Sequence, residues 1–388
     1  MPIIVDGKER IRFMRGMLVH YLIEHGFSHK DARGVANAVR DALGKADQVR
    51  KKDMIKIVGP EIQKKLGECE IGNLVFWRPQ PTAIAVECKG ELRPFSKELL
   101  AHSIQASGLF PDQSYDIAQR IESRLMDEHR QNIRSEELEQ LTGALVEEVS
   151  DQAYAERYFL WRAWSDVDKP LVILIGGASG VGKTSLAIEM AKVLNINRVV
   201  ATDDLRQVMR LMLSQDLEPT LHKSSFAAWE SILTTGEEDA VITGFRAQAR
   251  VVCVGVKAII SRCIEENTSV IIDGVHLIGD MLGLDSYADR AFVAPICLEV
   301  SDRETFKNRF ALRASESPLR PVHRYITNLD QIIAIQNHLI DISIAEGIPV
   351  VPTGSIESLA SVAAMAISEK LQEQKEVVRI LQDYLKQR

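Results

Sequence analysis

The residues Gly177-Ala178-Ser179-Gly180-Val181-Gly182-Lys183-Thr184 fit the pattern G-x-x-x-x-G-K-[ST]. Each residue type has a task in holding phosphate. The glycines let consecutive backbone N–H groups converge on phosphate oxygens without Cβ clashes. The helix that begins at Lys183 turns its positive end toward the same anion. Lys183 can reach the β- and γ-phosphates, and the Thr184 hydroxyl can ligate Mg²⁺. Gly177, Ser179, Gly180, Gly182, Lys183, Thr184 and Ser185 are therefore the expected nucleotide-binding set. The apolar run "LVILI" before the loop and "KTSLAIEMAKVL" after it predict the strand and helix such a loop needs.

Acids follow the next two apolar runs. "RVVATDDLRQVMR" places Asp203 and Asp204 at a strand end, where a carboxylate can hold or deprotonate an acceptor hydroxyl; the alternative is that Thr202 or Asp203 caps the helix that follows. Arg206 and Arg210 lie one turn apart on that helix. They either clamp an anionic acceptor or face solvent. "SVIIDGVHLIG" ends its strand in Asp273, placed as an acid that orients Mg²⁺, with Thr184 as the other metal residue. His276 sits just beyond, at the strand end where open α/β sheets bind ligands, and is either a substrate contact or a loop histidine without a task. Downstream, "SDRETFKNRFALRASESPLRPVHRY" concentrates Arg309, Arg313, Arg320 and Arg324. Such a segment reads as a lid, with Arg309 and Arg313 stabilising charge on a transferring phosphoryl group. The alternative is a solvated helix paired with Asp302 and Glu304. The candidate catalytic set is Lys183, Asp203, Asp273, Arg309 and Arg313; the candidate substrate contacts are Asp203, Arg206 and His276.

The elements that must position these residues alternate. The runs "LVILIG", "RVVAT", "SVIIDG", "PICLEV" and "IPVVPT" are separated by helical stretches, which predicts an α/β fold with a parallel sheet covered by helices on both faces. The last of them, "GIPVVPTGSIESLA", places its turn where such folds hold adenine. The tail from Ile356 to Arg388 reads as helix, with Leu371, Val378, Leu381 and Leu385 at roughly heptad spacing.

The N-terminal part repeats. At an offset of 82, Phe13 falls on Phe95, Arg15 on Lys97, Leu18 on Leu100, His20 on His102, Gly26 on Gly108, Ala36 on Ala118 and Leu43 on Leu125. Each copy reads as a helix ended by glycine, then two more helices, with Ser96 an N-cap in the second. Between the copies, "NLVFWRPQPTAIAVECKG" is strand-like and interrupted by Pro79 and Pro81. "AYAERYFLWRAW" is an aromatic helix suited to an interdomain contact, and "SDVDKP" is a linker ending in Pro170. The expected division is 1–80 and 81–165 for the two modules and 170–388 for the sheet domain.

Composition limits the function classes. The 388 residues carry a net charge of −7, which disfavours nucleic acid as a partner. No basic-then-apolar leader opens the chain and no run reaches the ~18 apolar residues of a membrane span, so a cytoplasmic location is expected. Cys69, Cys88, Cys253, Cys263 and Cys297 include no C-x-x-C pair, and free thiols are expected.

The sequences "ILIGGASGVGKTSLA", "VVATDDLRQVMR", "SVIIDGVHLIG" and "PICLEVSDRETFKNRF" together resemble the 2-phosphoglycerate kinase family. Upstream, "ELRPFSKELLAHSIQASGL" through "AYAERYFLWRAW" resembles the ATP-cone-like region that precedes the kinase domain in that family. The resemblance implies a P-loop NTPase-type sheet domain preceded by a mainly α-helical region with a two-fold ATP-cone-like repeat. It also implies ATP and Mg²⁺ as cofactors and phosphoryl transfer to the 3-hydroxyl of 2-phosphoglycerate. A small anionic acceptor suits the arginines Arg206, Arg309 and Arg313. ATP-cones commonly carry Lys-Arg-Asp-Gly near their start; here the copies have "IVDGKERIRF" and "ECKGELRPF", which leaves nucleotide binding by either copy open. Another anionic acceptor (a sugar acid or an inositol phosphate) and a non-catalytic nucleotide-responsive regulator are the alternatives. A homo-oligomer through the N-terminal modules or the C-terminal helix is compatible with the sequence.

Overall fold

The structure, a computed structural model, describes residues 3–6, 9–13, 15–24, 29–43, 48–66, 84–128, 130–164, 167–232, 239–316, 322–354 and 356–386, and all structural statements concern these. Gly26, Cys69, Pro79, Pro81 and Arg320 lie outside them. The chain forms two compact units, Met1–Ala83 and Ile84–Arg388.

In the first unit, β1 (Ile3–Asp6) pairs antiparallel with β2 (Glu9–Arg12) and parallel with β3 (Gln48–Arg50), around α1 (Arg15–Glu24), α2 (His29–Leu43) and α3 (Lys51–Leu66). The second unit opens with the same order: β4 (Ala85–Cys88), β5 (Glu91–Pro94), α4 (Lys97–Gln105), α5 (Pro111–Asp127), β6 (Asn132–Arg134) and α6 (Ser135–Val149). β4 lies between antiparallel β5 and parallel β6. The cores match position by position. Leu18 and Leu100, Val35 and Ile117, Val39 and Ile121, and Leu43 and Leu125 are buried at the offset of 82, while Val49 and Ile133, and Met54 and Leu138, follow it two residues later. The strands of each module span only three or four residues, too few for alternation to show; β4 lies within the strand-like run, while the other strands of the three-stranded sheets are not marked by the sequence.

The aromatic helix α7 (Gln152–Ala163) joins the second module to the sheet domain. The Trp164 ring meets Phe292 at 4.9 Å, edge to face, and the Trp161 indole N–H donates to Ser368 Oγ at 2.9 Å. Arg157 Nε donates to the Ser107 carbonyl at 2.8 Å, and Tyr384 donates its hydroxyl to Glu139 at 2.6 Å. Gly108 (φ +96°) closes the α4 turn where a Cβ would stand 3.1 Å from Met365 Cβ.

The sheet domain runs β7 (Leu171–Gly177), α8 (Lys183–Val193), β8 (Val199–Ala201), α9 (Thr202–Met212), two 3₁₀ turns (Pro219–His222, Ser225–Ser231), α10 (Ala240–Glu265), β9 (Val270–Asp273), α11 (Gly279–Leu282), a 3₁₀ turn (Leu284–Tyr287), β10 (Phe292–Glu299), α12 (Arg303–Glu316), α13 (Val322–Thr327), α14 (Leu329–Ala345), β11 (Val350–Pro352), α15 (Ile356–Gln372) and α16 (Lys375–Lys386). The five strands are parallel in the order β11-β10-β7-β9-β8. All seven residues of β7 are buried, as a central strand with both faces covered requires. Val172, Leu174, Val270 and Ile272 pack with Cys253, Val256 and Ile260 of α10, while Ile173, Ile175 and Ile271 share a core with Leu186 and Met190 of α8. Cys253, Cys263 and Cys297 are buried free thiols, and burial pushes Cys253 up to about 11.

The C-terminal tail is two helices rather than one. The break after Gln372 shifts the helical phase, so Leu371, Val377 and Leu381 are buried while Val378 and Leu385 stand exposed. A heptad through Val378 and Leu385 is therefore not the packed face.

Candidate active site

The phosphate loop leaves the C-terminal end of β7, the central strand, and its glycines occupy backbone that other residues resist. Gly177 has φ +135°, and a Cβ there would lie 2.7 Å from the Leu298 carbonyl oxygen of β10. Gly180 has φ +92°, and its Cβ would enter the Phe310 ring at 2.5 Å. Gly182 precedes α8 with no side-chain cap, so the first N–H groups of that helix have no side-chain acceptor at the cap. Lys183 Nζ donates to the Ala178 carbonyl at 2.7 Å, folded back along the loop. Ser179 is half-buried; Thr184 and Ser185 are exposed on the first turn of α8.

Thr184 donates its hydroxyl to Asp273 Oδ2 at 2.8 Å across the gap between α8 and the end of β9. Asp273 is 2% exposed, and its Oδ1 has no hydrogen-bond partner among the described residues. Burial raises its carboxyl above the usual carboxylate range, partly countered by the Thr184 hydrogen bond and the Lys183 charge. A buried carboxylate with one orphaned oxygen beside a hydroxyl fits a hard divalent cation.

The residues expected at the acceptor follow the neighbouring strand β8. Asp203, on the first turn of α9, has a side chain 74% exposed, and Asp204 is exposed beside it. Neither Thr202 nor Asp203 caps the helix, whose N-cap is Ala201 with no side-chain hydrogen bond; the Thr202 hydroxyl instead meets His276 Nδ1 at 2.8 Å. Arg206 is largely buried: its Nη1 donates to the carbonyls of Leu221 (2.9 Å) and Lys223 (3.1 Å), and its Nε stands 3.6 Å from Asp203. Arg210 is exposed and reaches only Gln207.

Two expectations change. His276 is fully buried, with Nε2 3.0 Å from Gln248 Oε1 and Nδ1 taken by Thr202, and burial lowers it to about 4. It is an interior group bonded to Thr202 and Gln248, and its side chain does not face the open end of the sheet. Arg309 does not reach over the loop as a lid arginine. Its Nη1 donates to the Val181 carbonyl at 2.7 Å, and its Nη2 reaches the carbonyls of Thr353 (3.4 Å) and Gly354 (3.3 Å). It braces the phosphate loop against the turn after β11, which the sequence placed near adenine. The side chain of Arg313 lies outside the described residues. Arg324 is exposed over the Phe226 ring at 5.6 Å.

Comparison with known proteins bears on both halves of the second unit. The ATP cone domain family matches residues 86–167. The 2-phosphoglycerate kinase of Methanopyrus kandleri is 36% identical over 291 residues, 74% of this chain and 88% of that one. Those of Methanocaldococcus jannaschii (37% over 288 residues, 74% and 92%) and Pyrococcus furiosus (35% over 286, 74% and 93%) are similar to the same extent. The chain belongs to the 2-phosphoglycerate kinase family. No described helix is long and apolar enough to cross a membrane.

In this member of the 2-phosphoglycerate kinase family, one buried polar residue near Thr202 and Arg206 belongs to no sequence motif. Gln248 is fully buried on α10, among Phe245, Ala249 and Val252. A lone amide on the apolar face of "GFRAQARVV" was the available signal, since a buried amide must find partners. The largely buried turn Pro219–His222 and Lys223 after it, whose carbonyls at Leu221 and Lys223 anchor Arg206, carry no motif.

Proposed function

We propose that this protein transfers the γ-phosphoryl group of ATP to the 3-hydroxyl of 2-phosphoglycerate, giving ADP and 2,3-bisphosphoglycerate. The observation that carries this reading is the Thr184–Asp273 pair at 2.8 Å, beside a phosphate loop and near α9, which carries Asp203 in its first turn and then Arg206. The names of its relatives support the choice of acceptor.

The residues divide the work. The loop N–H groups from Gly177 to Thr184 and the start of α8, including Ser185, hold the β- and γ-phosphates, and Lys183 swings from the Ala178 carbonyl onto them. Thr184 and Asp273 would hold Mg²⁺, which when bound neutralises charge building on the phosphate oxygens. Asp203 aligns the acceptor hydroxyl and takes its proton as the oxygen bonds to the γ-phosphorus and the bond to the ADP oxygen breaks. Arg206 contributes positive charge beside the acceptor's carboxylate and phosphate. Arg309 fixes the loop. The first test is ADP release measured across a panel of phosphorylated hydroxy acids. Turnover above the ATP-only background with 2-phosphoglycerate supports the reading; turnover confined to another acid rejects that acceptor.

A further inference from the structure

The buried polar groups behind the acceptor end form one directed chain. Gln248 Nε2 donates to the Lys223 carbonyl at 3.1 Å and also to the Thr220 carbonyl. Two carbonyls on that side fix the amide orientation, because the reverse would set oxygen against oxygen. Gln248 Oε1 is then an acceptor, so the hydrogen lies on His276 Nε2, 3.0 Å away. His276 Nδ1 must accept, and Thr202 supplies its hydroxyl proton at 2.8 Å. The chain of donors thus runs Thr202 to His276 to Gln248 to the turn carbonyls, and every member is satisfied by one tautomer of a neutral imidazole.

This chain ties four segments together. Thr202 opens α9 one residue before Asp203. His276 follows the end of β9, three residues beyond Asp273. Gln248 lies on α10. The Lys223 carbonyl that Gln248 reaches also receives Arg206, at 3.1 Å. Gly274 is part of the arrangement: a Cβ there would lie 1.7 Å from Thr202 Oγ1, so only glycine lets the hydroxyl reach the imidazole.

We infer that His276 is a positioning residue, which through Thr202 and Gln248 sets Asp203 and Arg206 at a fixed distance from the Thr184–Asp273 pair. It touches neither nucleotide nor acceptor. The inference rests on the functional reading above for what that distance serves. Loss of one link loosens α9 and the turns 219–231 against β9, misplacing the acceptor while the phosphate loop, held by β7, β10 and Arg309, keeps its grip on ATP.

The test compares Thr202→Val, which keeps shape and removes the hydroxyl, with Thr202→Ser, which keeps the hydroxyl, and with His276→Gln. Thr202→Val and His276→Gln are expected to raise KM for 2-phosphoglycerate about tenfold or more, with KM for ATP changed less than about twofold and Thr202→Ser near native. Backbone hydrogen exchange over residues 219–231 is expected to quicken about tenfold in Thr202→Val and not in Thr202→Ser. A native acceptor KM in Thr202→Val, a parallel rise in the ATP KM, or unchanged exchange would each overturn the inference. The exchange measurement needs no acceptor. Absence of turnover by the native enzyme therefore overturns the functional reading, while exchange still decides the relay.

Discussion

Asp273 holds its position at a cost to the fold. Its carboxylate is buried, one oxygen has no hydrogen-bond partner among the described residues, and Asp203 and Asp204 add like charge to the desolvation that raises it. Asp273→Asn keeps the shape and removes the charge. Without Mg²⁺ this variant is expected to melt at or above the native temperature, while kcat falls about a hundredfold or more. Thermal melts in chelator alongside single-acceptor kinetics check both halves. His276 makes a pH prediction. Its folded value of about 4 lies below the ordinary 6.5, with Asp203 raising it and Arg206 and Lys183 lowering it in support of burial. Below pH 6.5 the unfolded chain binds a proton that the fold refuses. The stabilisation is therefore complete above 6.5 and is lost as pH falls toward 4, by about 2 to 3 kcal/mol. Urea melts at pH 7 and pH 4.5 should show that loss in the native protein and not in His276→Gln. At this scale the phosphate loop was legible because its chemistry is local in sequence. The relay was not, since His276 and Gln248 lie 28 residues apart and their pairing depends on how α10 crosses β9.

Elements follow the same division. The large sheet could be read from its apolar runs because its inner strands β7, β9 and β10 are largely buried. Of the module strands, Ala85–Cys88 falls within the strand-like run and Ile3–Asp6 does not stand out; each completes a sheet only with β3 or β6, over forty residues away in sequence. In the C-terminal tail, hydrophobicity alone did not give the helical phase: Val377 and Val378 are chemically identical, and the turn after Gln372 decides which faces inward. Val377 is fully buried and Val378 is 37% exposed. Val377→Ala should therefore cost about 2 kcal/mol and Val378→Ala less than about 0.5 kcal/mol in denaturant unfolding. Equal costs would mean that α16 packs in another phase.

For the whole molecule, the repeat at an offset of 82 showed two similar modules, but it did not show that they belong to different units. The second module is built into the sheet domain through Trp161, Trp164, Arg157 and Tyr384, and the compact unit begins at Ile84. Residues 84–388 are expected to fold cooperatively and keep turnover. A chain starting at residue 168 leaves Phe292 and Ser368 without their α7 partners and is expected to aggregate or melt early. Circular dichroism melts and turnover of both truncations check this. The central claim, ATP-dependent phosphorylation of the 3-hydroxyl of 2-phosphoglycerate, is tested most directly by ³¹P NMR of the full-length protein with ATP, Mg²⁺ and 2-phosphoglycerate, beside Lys183→Ala. The account predicts 2,3-bisphosphoglycerate and ADP appearing in equal amounts with the native protein and neither with the variant. ADP appearing with inorganic phosphate in place of the bisphosphate, or no change in the spectrum, would contradict it.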